Sequence, residues 1–228
     1  MTSTSPTPVL QEVRIPIGQH WLIGDLGLPD QARGLVLFAH GSGSGRHSAR
    51  NRQVARRLQQ DRIATLLFDL LTPEEEQVDL RTREHRFDIA LLTRRMESAA
   101  EWARTQPALR ELPLGLFGAS TGSAAALIAA AQLGRRVSAV VSRGGRPDLA
   151  GPAALAAVTA PTLLIVGGAD DAVIALNEEA LGQLRCPSDL EIVPGATHLF
   201  EEPGTLEQVA DLASSWFLRH LAHVAHPA

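Results

Sequence analysis

Residues 113–134 read PLGLFGASTGSAAALIAAAQLG, and this stretch decides the fold. The apolar run at 113–117 predicts a buried strand, and the alanine-rich run at 121–133 predicts a helix that ends at Gly134. Between them lies the pentapeptide GASTG, with Ser120 at its centre. A glycine two positions before and after a serine suits a very sharp strand-to-helix turn, whose flanks pack against neighbouring backbone. The stretch therefore predicts a serine presented at the end of a buried strand.

The same alternation of short apolar runs and helix-period segments extends along most of the chain. Strands are predicted at 9–17, 20–28, 34–39, 63–69, 113–117, 137–142, 161–166 and 189–193. Helices are predicted at 48–60, 86–105, 121–133, 173–184 and 205–222, with Ser48 and Thr205 as N-caps. This pattern indicates an α/β fold: a mostly parallel central sheet of about eight strands with helices on both faces. The first two strands are predicted to form an antiparallel pair around Gly18-Gln19.

The domain organisation is predicted to be simple. We expect a flexible tail at residues 1–8 and one domain at 9–228 without a large cap domain. Residues 70–86, which include the acidic run Glu74 to Glu76, form the longest segment without periodicity. Because this segment follows the end of a predicted parallel strand, we expect it to border the functional site.

The composition of the chain argues against several classes of function. The chain has 228 residues and a formal net charge of -4, with no basic run, which argues against nucleic-acid binding. No apolar run approaches the roughly 20 residues of a membrane span. The single cysteine, Cys186, excludes an internal disulfide and a cysteine-rich metal site. Because the N-terminus also lacks the pattern of a signal peptide, a cytoplasmic location is expected.

An acid and a base follow later predicted strands. Asp170 comes just after the strand at 161–166, and His198 lies in the loop before the last helix. The order Ser120, Asp170, His198 is that of the catalytic triad in α/β hydrolases. In that arrangement the histidine takes the serine proton and the aspartate orients the histidine. Asp171, which we expect to cap the helix near 173, and Asp148 remain alternative acids.

A glycine-rich loop, HGSGSG at 40–45, follows the strand at 34–39. We expect it to lie beside Ser120 and to form an oxyanion hole, with one N–H donor from Thr121 and another from around Ser42. Gly41 and Gly43 are candidate substrate-contacting positions in this loop. The alternative, a phosphate cradle, lacks the G-K-[ST] or G-x-G-x-x-G pattern. His40 is expected to brace the loop.

Two arginines are candidate substrate-binding residues. Arg46 and Arg143 are predicted in loops at the rim of the site, where a guanidinium could pair with a substrate carboxylate; a purely structural role is the alternative. Near the C-terminus, His220, His223 and His226 follow one another at intervals of three. They could form a metal site, although their position favours a fraying helix end.

The chain resembles the dienelactone hydrolase-like branch of the α/β hydrolases along nearly its whole length. The similar segments are HGSGSGRHSARN (40–51), RFDIALL (86–92), GLFGASTG (115–122), VSRGGRPDLA (141–150), VGGADDAV (166–173) and PGATHLFEEPG (194–204). This resemblance implies a compact hydrolase without a large lid that uses no metal or organic cofactor. Dienelactone hydrolases themselves use a cysteine nucleophile, whereas position 120 is serine.

These observations favour a serine hydrolase that cleaves esters or lactones of small soluble substrates through an acyl-serine. The expected partner is therefore a small-molecule substrate, with no nucleic acid and no membrane. Two alternatives stay open. The same triad could cleave thioesters, peptides or amides. The chain could also be a non-catalytic binding or scaffold protein that accompanies a phosphoribosyltransferase, since members of this family are sometimes fused to such domains.

Overall fold

The central strands are buried on both faces, as their continuous apolar runs predict. In the computed structural model, which describes residues 10–221, all six residues of strand β3 (Gly34–Ala39) are buried. Leu35 and Leu37 belong to one hydrophobic cluster, whereas Val36 and Phe38 belong to the other. Because side chains alternate along a strand, each cluster lies on one face of the sheet and needs its own layer of helices.

Eight strands form a single sheet in the order β1-β2-β4-β3-β5-β6-β7-β8. Their bounds are Leu10–Ile17, His20–Gly27, Gly34–Ala39, Ile63–Phe68, Leu114–Ala119, Val137–Arg143, Thr162–Gly167 and Ser188–Val193. Strand β2 pairs antiparallel with both β1 and β4, and all other neighbours are parallel. The first hairpin turns at Gly18-Gln19, where Ile17 lies opposite His20. The predicted fold class is therefore confirmed.

Helices cover both faces. Their bounds are α1 (Ala49–Gln60), α2 (Pro73–Thr82), α3 (Ile89–Thr105), α4 (Thr121–Leu133), α5 (Pro152–Ala157), α6 (Asp171–Gln183) and α7 (Thr205–His220). Helices α1 and α7 contribute to the cluster that contains Phe38, while α3 to α6 contribute to the opposite cluster. Ser48 caps α1 as predicted, since its Oγ accepts the Asn51 N–H. Gly134 ends α4 with a positive φ of 57°.

The segment without periodicity contains helix α2, which is not among the predicted helices. Its start carries a capping box: Thr72 Oγ1 accepts the Glu75 N–H, and the Glu75 carboxylate accepts the Thr72 N–H. Pro73 occupies the first helical position, where a missing N–H is tolerated. The pattern T-P-x-E is therefore a helix-start signal that periodicity alone does not detect.

Several predicted boundaries also differ from the structure. Helix α3 begins at Ile89 after the N-cap Asp88, three residues later than predicted. Helix α6 begins at Asp171, two residues earlier, so Asp171 lies in the first turn and does not cap the helix. Thr205 is the first residue of α7 and Gly204 takes the cap position. The short α5 was not predicted.

The structure describes only part of some predicted features. Residues 1–8, the end of the helix predicted at 205–222, His223 and His226 lie outside the described residues. Among residues 10–221, no group of three or more His, Cys, Asp or Glu side chains is arranged to hold a metal ion. None of the helices described is long and apolar enough to cross a membrane.

Candidate active site

Ser120 occupies a strained turn between β5 and α4. Its φ of 50° and ψ of -123° are unusual for a residue with a side chain. The flanking glycines permit this turn. A Cβ on Gly118 would lie 2.4 Å from the Ser123 Cα, and a Cβ on Gly122 would lie 2.4 Å from the Ala39 carbonyl oxygen. The turn is held by hydrogen bonds, because the Ser120 N–H donates to the Arg143 carbonyl at 3.1 Å and the Ser120 carbonyl accepts the Arg146 N–H at 3.1 Å.

The structure brings Ser120, Asp170 and His198 together. The His198 Nδ1 lies 2.7 Å from the Asp170 Oδ2, and its Nε2 lies 3.4 Å from the Ser120 Oγ. Because a carboxylate only accepts, the Nδ1 must carry a proton, and in the neutral form of the ring the Nε2 is then the acceptor for the serine hydroxyl. The longer contact to Ser120 is common where no substrate is bound, and such contacts shorten in the reacting complex.

The two alternative acids lie elsewhere. Asp171 is exposed in the first turn of α6. Asp148 forms two hydrogen bonds with the Arg146 guanidinium, at 2.8 and 2.7 Å. Asp170 occupies the N-cap position of α6, yet its side chain does not bond to the helix and contacts His198 instead. Of the three acids, Asp170 is the one that contacts the histidine.

The glycine-rich loop lies against the nucleophile. A Cβ on Gly41 would lie 3.1 Å from the Ser120 Cβ, so a side chain at this position would crowd the serine. The loop turns at Gly43, whose φ is 71°, and closes with a Ser44 N–H to Gly41 carbonyl bond of 3.2 Å. Thr121 begins α4, so its N–H has no acceptor within the helix and is available to a ligand. The Ser42 N–H is different, since it donates to the Thr121 Oγ1 at 2.9 Å.

Comparison with known proteins places this geometry in a family. A family model described as an alpha/beta hydrolase domain matches residues 32–218. The crystal structure of a dienelactone hydrolase from Anabaena variabilis is 58% identical, covers 94% of this chain and 99% of that one, and gives a TM-score of 0.92. The chain belongs to the dienelactone hydrolase-like α/β hydrolases.

Other similar proteins give less information about the function of this chain. Est1E from Butyrivibrio proteoclasticus covers 91% of this hydrolase and 98% of its own chain with a TM-score of 0.76, but at 16% identity it shows the fold alone. Two proteins from Mycobacterium tuberculosis strains, which carry the provisional name phosphoribosyl transferase, are 57% identical over 211 residues, or 92% of this chain. The hydrolase spans 46% of the length of these two relatives.

His40 fastens the glycine-rich loop of the hydrolase to the end of strand β4. Its Nδ1 donates to the Gly41 carbonyl at 3.0 Å, and its Nε2 accepts the Leu70 N–H at 3.1 Å. Burial lowers the pKa of His40 below its ordinary value, although the Gly41 carbonyl and the Asp69 and Glu76 charges act in the opposite direction. The neutral ring therefore suits both bonds, whereas a proton on Nε2 would break the bond to Leu70.

Mild acid is expected to destabilise the hydrolase through His40. Because the folded pKa is lower than the unfolded one, the unfolded chain binds more protons in the window between the two values. The free energy of unfolding therefore falls as the pH drops below about 6.5, the ordinary histidine value, and this contribution is intact above it. Urea unfolding of His40→Gln at pH 7.5 and 5.5 should show a smaller decline than the wild type.

The exposed His20 provides a control for the loss of one histidine, as His20→Gln. If His40→Gln and the wild type lose the same free energy of unfolding between the two pH values, then His40 is not the group responsible.

Of the two candidate substrate-binding arginines, Arg143 does not lie where the sequence predicts. Arg143 is in strand β6, not in a loop, and only 8% of its surface is exposed. Its guanidinium lies 6.0 Å from the centre of the Phe117 ring, and burial, together with the Arg50 charge, lowers its pKa to about 10. Within the described residues its Nη1 has no hydrogen-bond partner. The prediction of a loop position is wrong because strand β6 continues beyond the apolar run and includes Arg143.

Arg46 is in the predicted loop, but its side chain is paired with acids. It lies 3.2 Å from Glu12, 3.6 Å from Asp25 and 3.7 Å from Asp69. The neighbouring His47 contacts Arg52 and lies 3.7 Å from Asp25. Arg46 therefore fastens the loop to β1, β2 and the residue after β4, and its charge is already compensated.

The sequence did not predict the hydrogen bonds that hold Arg86 beside the glycine-rich loop. Asp79, which is buried in α2, accepts the N–H groups of His85 and Arg86 at 2.9 Å and the Arg86 Nε at 2.5 Å. The Arg86 Nη1 lies 3.5 Å from the point where a Cβ on Gly43 would be. A cavity of about 20 Å³ separates this segment from residues 40–44. The segment after β4 therefore borders the site, as expected, although it does so partly as a helix.

Proposed function

We propose that this hydrolase cleaves carboxylic esters or lactones of small soluble substrates through an acyl-enzyme on Ser120. The observation that carries the proposal is the hydrogen-bonded series from the Asp170 Oδ2 through the His198 ring to the Ser120 Oγ. A serine hydroxyl is a weak nucleophile at neutral pH and needs an adjacent base to react. The Nε2 of His198 is positioned to be that base.

The reaction proceeds in two acyl transfers. The Ser120 Oγ attacks the carbonyl carbon while His198 takes the hydroxyl proton, and the negative charge develops on the carbonyl oxygen. When the bond to the alcohol breaks, His198 gives its proton to the leaving oxygen. Water then attacks the acyl carbon, with His198 again taking a proton and returning it to the Ser120 Oγ. Asp170 keeps the proton on Nδ1 and stabilises the imidazolium that forms in each step.

The oxyanion is stabilised by the amino end of α4 and the adjacent loop. The Thr121 N–H lies at the start of a 13-residue helix, where free N–H groups and the helix dipole both favour negative charge. Fixed donors of this type commonly contribute about 100-fold to 1,000-fold each in rate. The glycine-rich loop adjoins this end of α4, where the Ser42 N–H donates to the Thr121 Oγ1.

One comparison supports the proposed substrate class. The similar Anabaena protein is named a dienelactone hydrolase, which supports esters and lactones as the substrate chemistry. Because residue 120 is serine, we do not propose a dienelactone as the substrate. The provisional name of the mycobacterial relatives supports no transferase proposal, since this chain spans 46% of their length.

A matched panel of acyl compounds tests the proposal. We expect p-nitrophenyl acetate and butyrate, together with a small aromatic lactone, to be hydrolysed faster than p-nitrophenyl octanoate. The corresponding p-nitroanilides should react at least about 100-fold more slowly, because an amine is a poorer leaving group that needs fuller protonation. A thioester that exceeds the matched ester in kcat/KM would favour thioester cleavage instead. If no ester or lactone reacts above the background rate, the proposed function is wrong.

A further inference from the structure

The Thr121 hydroxyl joins the two segments of the proposed oxyanion hole through a hydrogen bond with the Ser42 N–H. Thr121 follows Ser120 directly and is 6% exposed. Its Oγ1 accepts the Ser42 N–H at 2.9 Å. The loop backbone approaches the nucleophile closely here, as the 3.1 Å between the Ser120 Cβ and the Cβ position on Gly41 shows. The amide predicted as the second oxyanion donor is therefore already paired with a side chain.

The Thr121 hydroxyl accepts a hydrogen bond, and its own proton remains available to donate to a ligand. A hydroxyl carries one donor and two acceptor lone pairs. The Thr121 Oγ1 uses a lone pair for the Ser42 N–H, and among the side-chain hydrogen bonds of residues 10–221 it takes part only as this acceptor. A hydroxyl that accepts a hydrogen bond in a partly buried site becomes a stronger donor, since successive hydrogen bonds polarise one another.

We propose that the Thr121 hydroxyl is the second donor to the oxyanion, with the Ser42 N–H acting through it. This inference rests on the proposed function. Thr121 then donates its backbone N–H and its Oγ1–H to the same developing charge, while the Ser42 amide orients and polarises the hydroxyl. No proton is transferred in this arrangement; the hydroxyl proton stays on Oγ1 throughout.

A competing arrangement makes the opposite prediction. If the Thr121 side chain rotated away when substrate binds, the freed Ser42 N–H would donate directly to the oxyanion. The hydroxyl would then obstruct the hole in the free enzyme, and its removal would leave the rate equal or higher. Replacement by valine separates the two cases, because valine keeps the branched shape of threonine and lacks the hydroxyl.

The experiment compares Thr121→Val and Thr121→Ser with the wild type on p-nitrophenyl acetate. We expect Thr121→Val to lower kcat by about 100-fold with KM within about threefold, and Thr121→Ser to stay within about fivefold of the wild-type kcat. Affinity for a boronic acid that forms a tetrahedral adduct on Ser120 should fall in Thr121→Val and recover in Thr121→Ser. A merely structural role would change the thermal midpoint without this pattern.

Thr93→Val is the matched control. Thr93 is also buried, and its hydroxyl donates to the Ile89 carbonyl at 2.8 Å within α3, away from the site. This variant should keep the wild-type kcat. An active wild type whose Thr121→Val variant keeps or exceeds its kcat overturns the inference alone, whereas a wild type without ester turnover overturns the proposed function as well. If Thr121→Val does not fold, Thr121→Ala against Thr121→Ser decides in the same way.

Discussion

Replacing Ser120 by alanine is expected to lower kcat/KM for p-nitrophenyl acetate by about 10⁴-fold to 10⁶-fold. The variant loses the atom that forms the acyl-enzyme, and what remains is the weak catalysis supplied by substrate binding and the oxyanion donors. The fold should persist, because the strained turn depends on Gly118 and Gly122 and on backbone bonds that alanine retains. Steady-state hydrolysis of the ester, with circular dichroism to verify folding, measures the effect.

Ser123→Ala is the matched control for this result. Ser123 lies three residues further along α4 and is fully buried, and its Oγ has no hydrogen-bond partner within the described residues. Its hydroxyl takes no part in the proposed reaction, so the variant should retain wild-type kcat/KM. Turnover by Ser120→Ala within about tenfold of the wild type would show that another residue carries the chemistry.

The second large effect is expected from Asp170→Asn, which should lower kcat by about 10⁴-fold. The asparagine amide can donate to the histidine, so His198 would adopt the tautomer with its proton on Nε2, facing the Ser120 Oγ. In that tautomer the histidine no longer accepts the serine proton. Because the shape of the side chain is almost unchanged, the free energy of unfolding should change far less than the rate.

Variants of Asp171 and Asp148 test whether another aspartate orients His198. Asp171→Asn changes an exposed side chain in the first turn of α6 and should keep kcat within about twofold of the wild type. Asp148→Asn should do the same, because Asp148 pairs with Arg146 and not with His198. A large loss of kcat in either variant, together with an active Asp170→Asn, would reassign the acid.

The parts of the fold that sequence predicts well are those with strong local signals. The six residues of β3 form a continuous apolar run, and that run predicts a strand buried on both faces. The GASTG turn is predicted because steric crowding at Gly118 and Gly122 leaves no room for a side chain. Hydrophobic periodicity does not predict helix α2, because its residues do not form an apolar stripe. The start of α2 is instead indicated by the capping box of Thr72 and Glu75.

The parts that sequence does not predict depend on contacts between distant segments. The pattern HGSGSG places the Ser42 amide near the serine, but it does not indicate that Thr121, 79 residues away, accepts that N–H. Arg143 looks like a loop residue because charged side chains rarely end a buried strand, yet it is enclosed beside Phe117. Whether Asp170 or Asp171 contacts the histidine depends on the direction of each side chain. The sequence does not determine that direction for two adjacent residues.

The central claim is that Ser120 is a nucleophile activated by His198, and mass spectrometry after treatment with a fluorophosphonate tests it most directly. Such probes react with activated serines by losing fluoride and forming a phosphonyl ester on Oγ. We predict one adduct per chain, located on the peptide that contains Ser120, absent from Ser120→Ala and formed far more slowly in His198→Ala. An unmodified wild-type protein, or an adduct of equal yield on Ser120→Ala, would contradict the account.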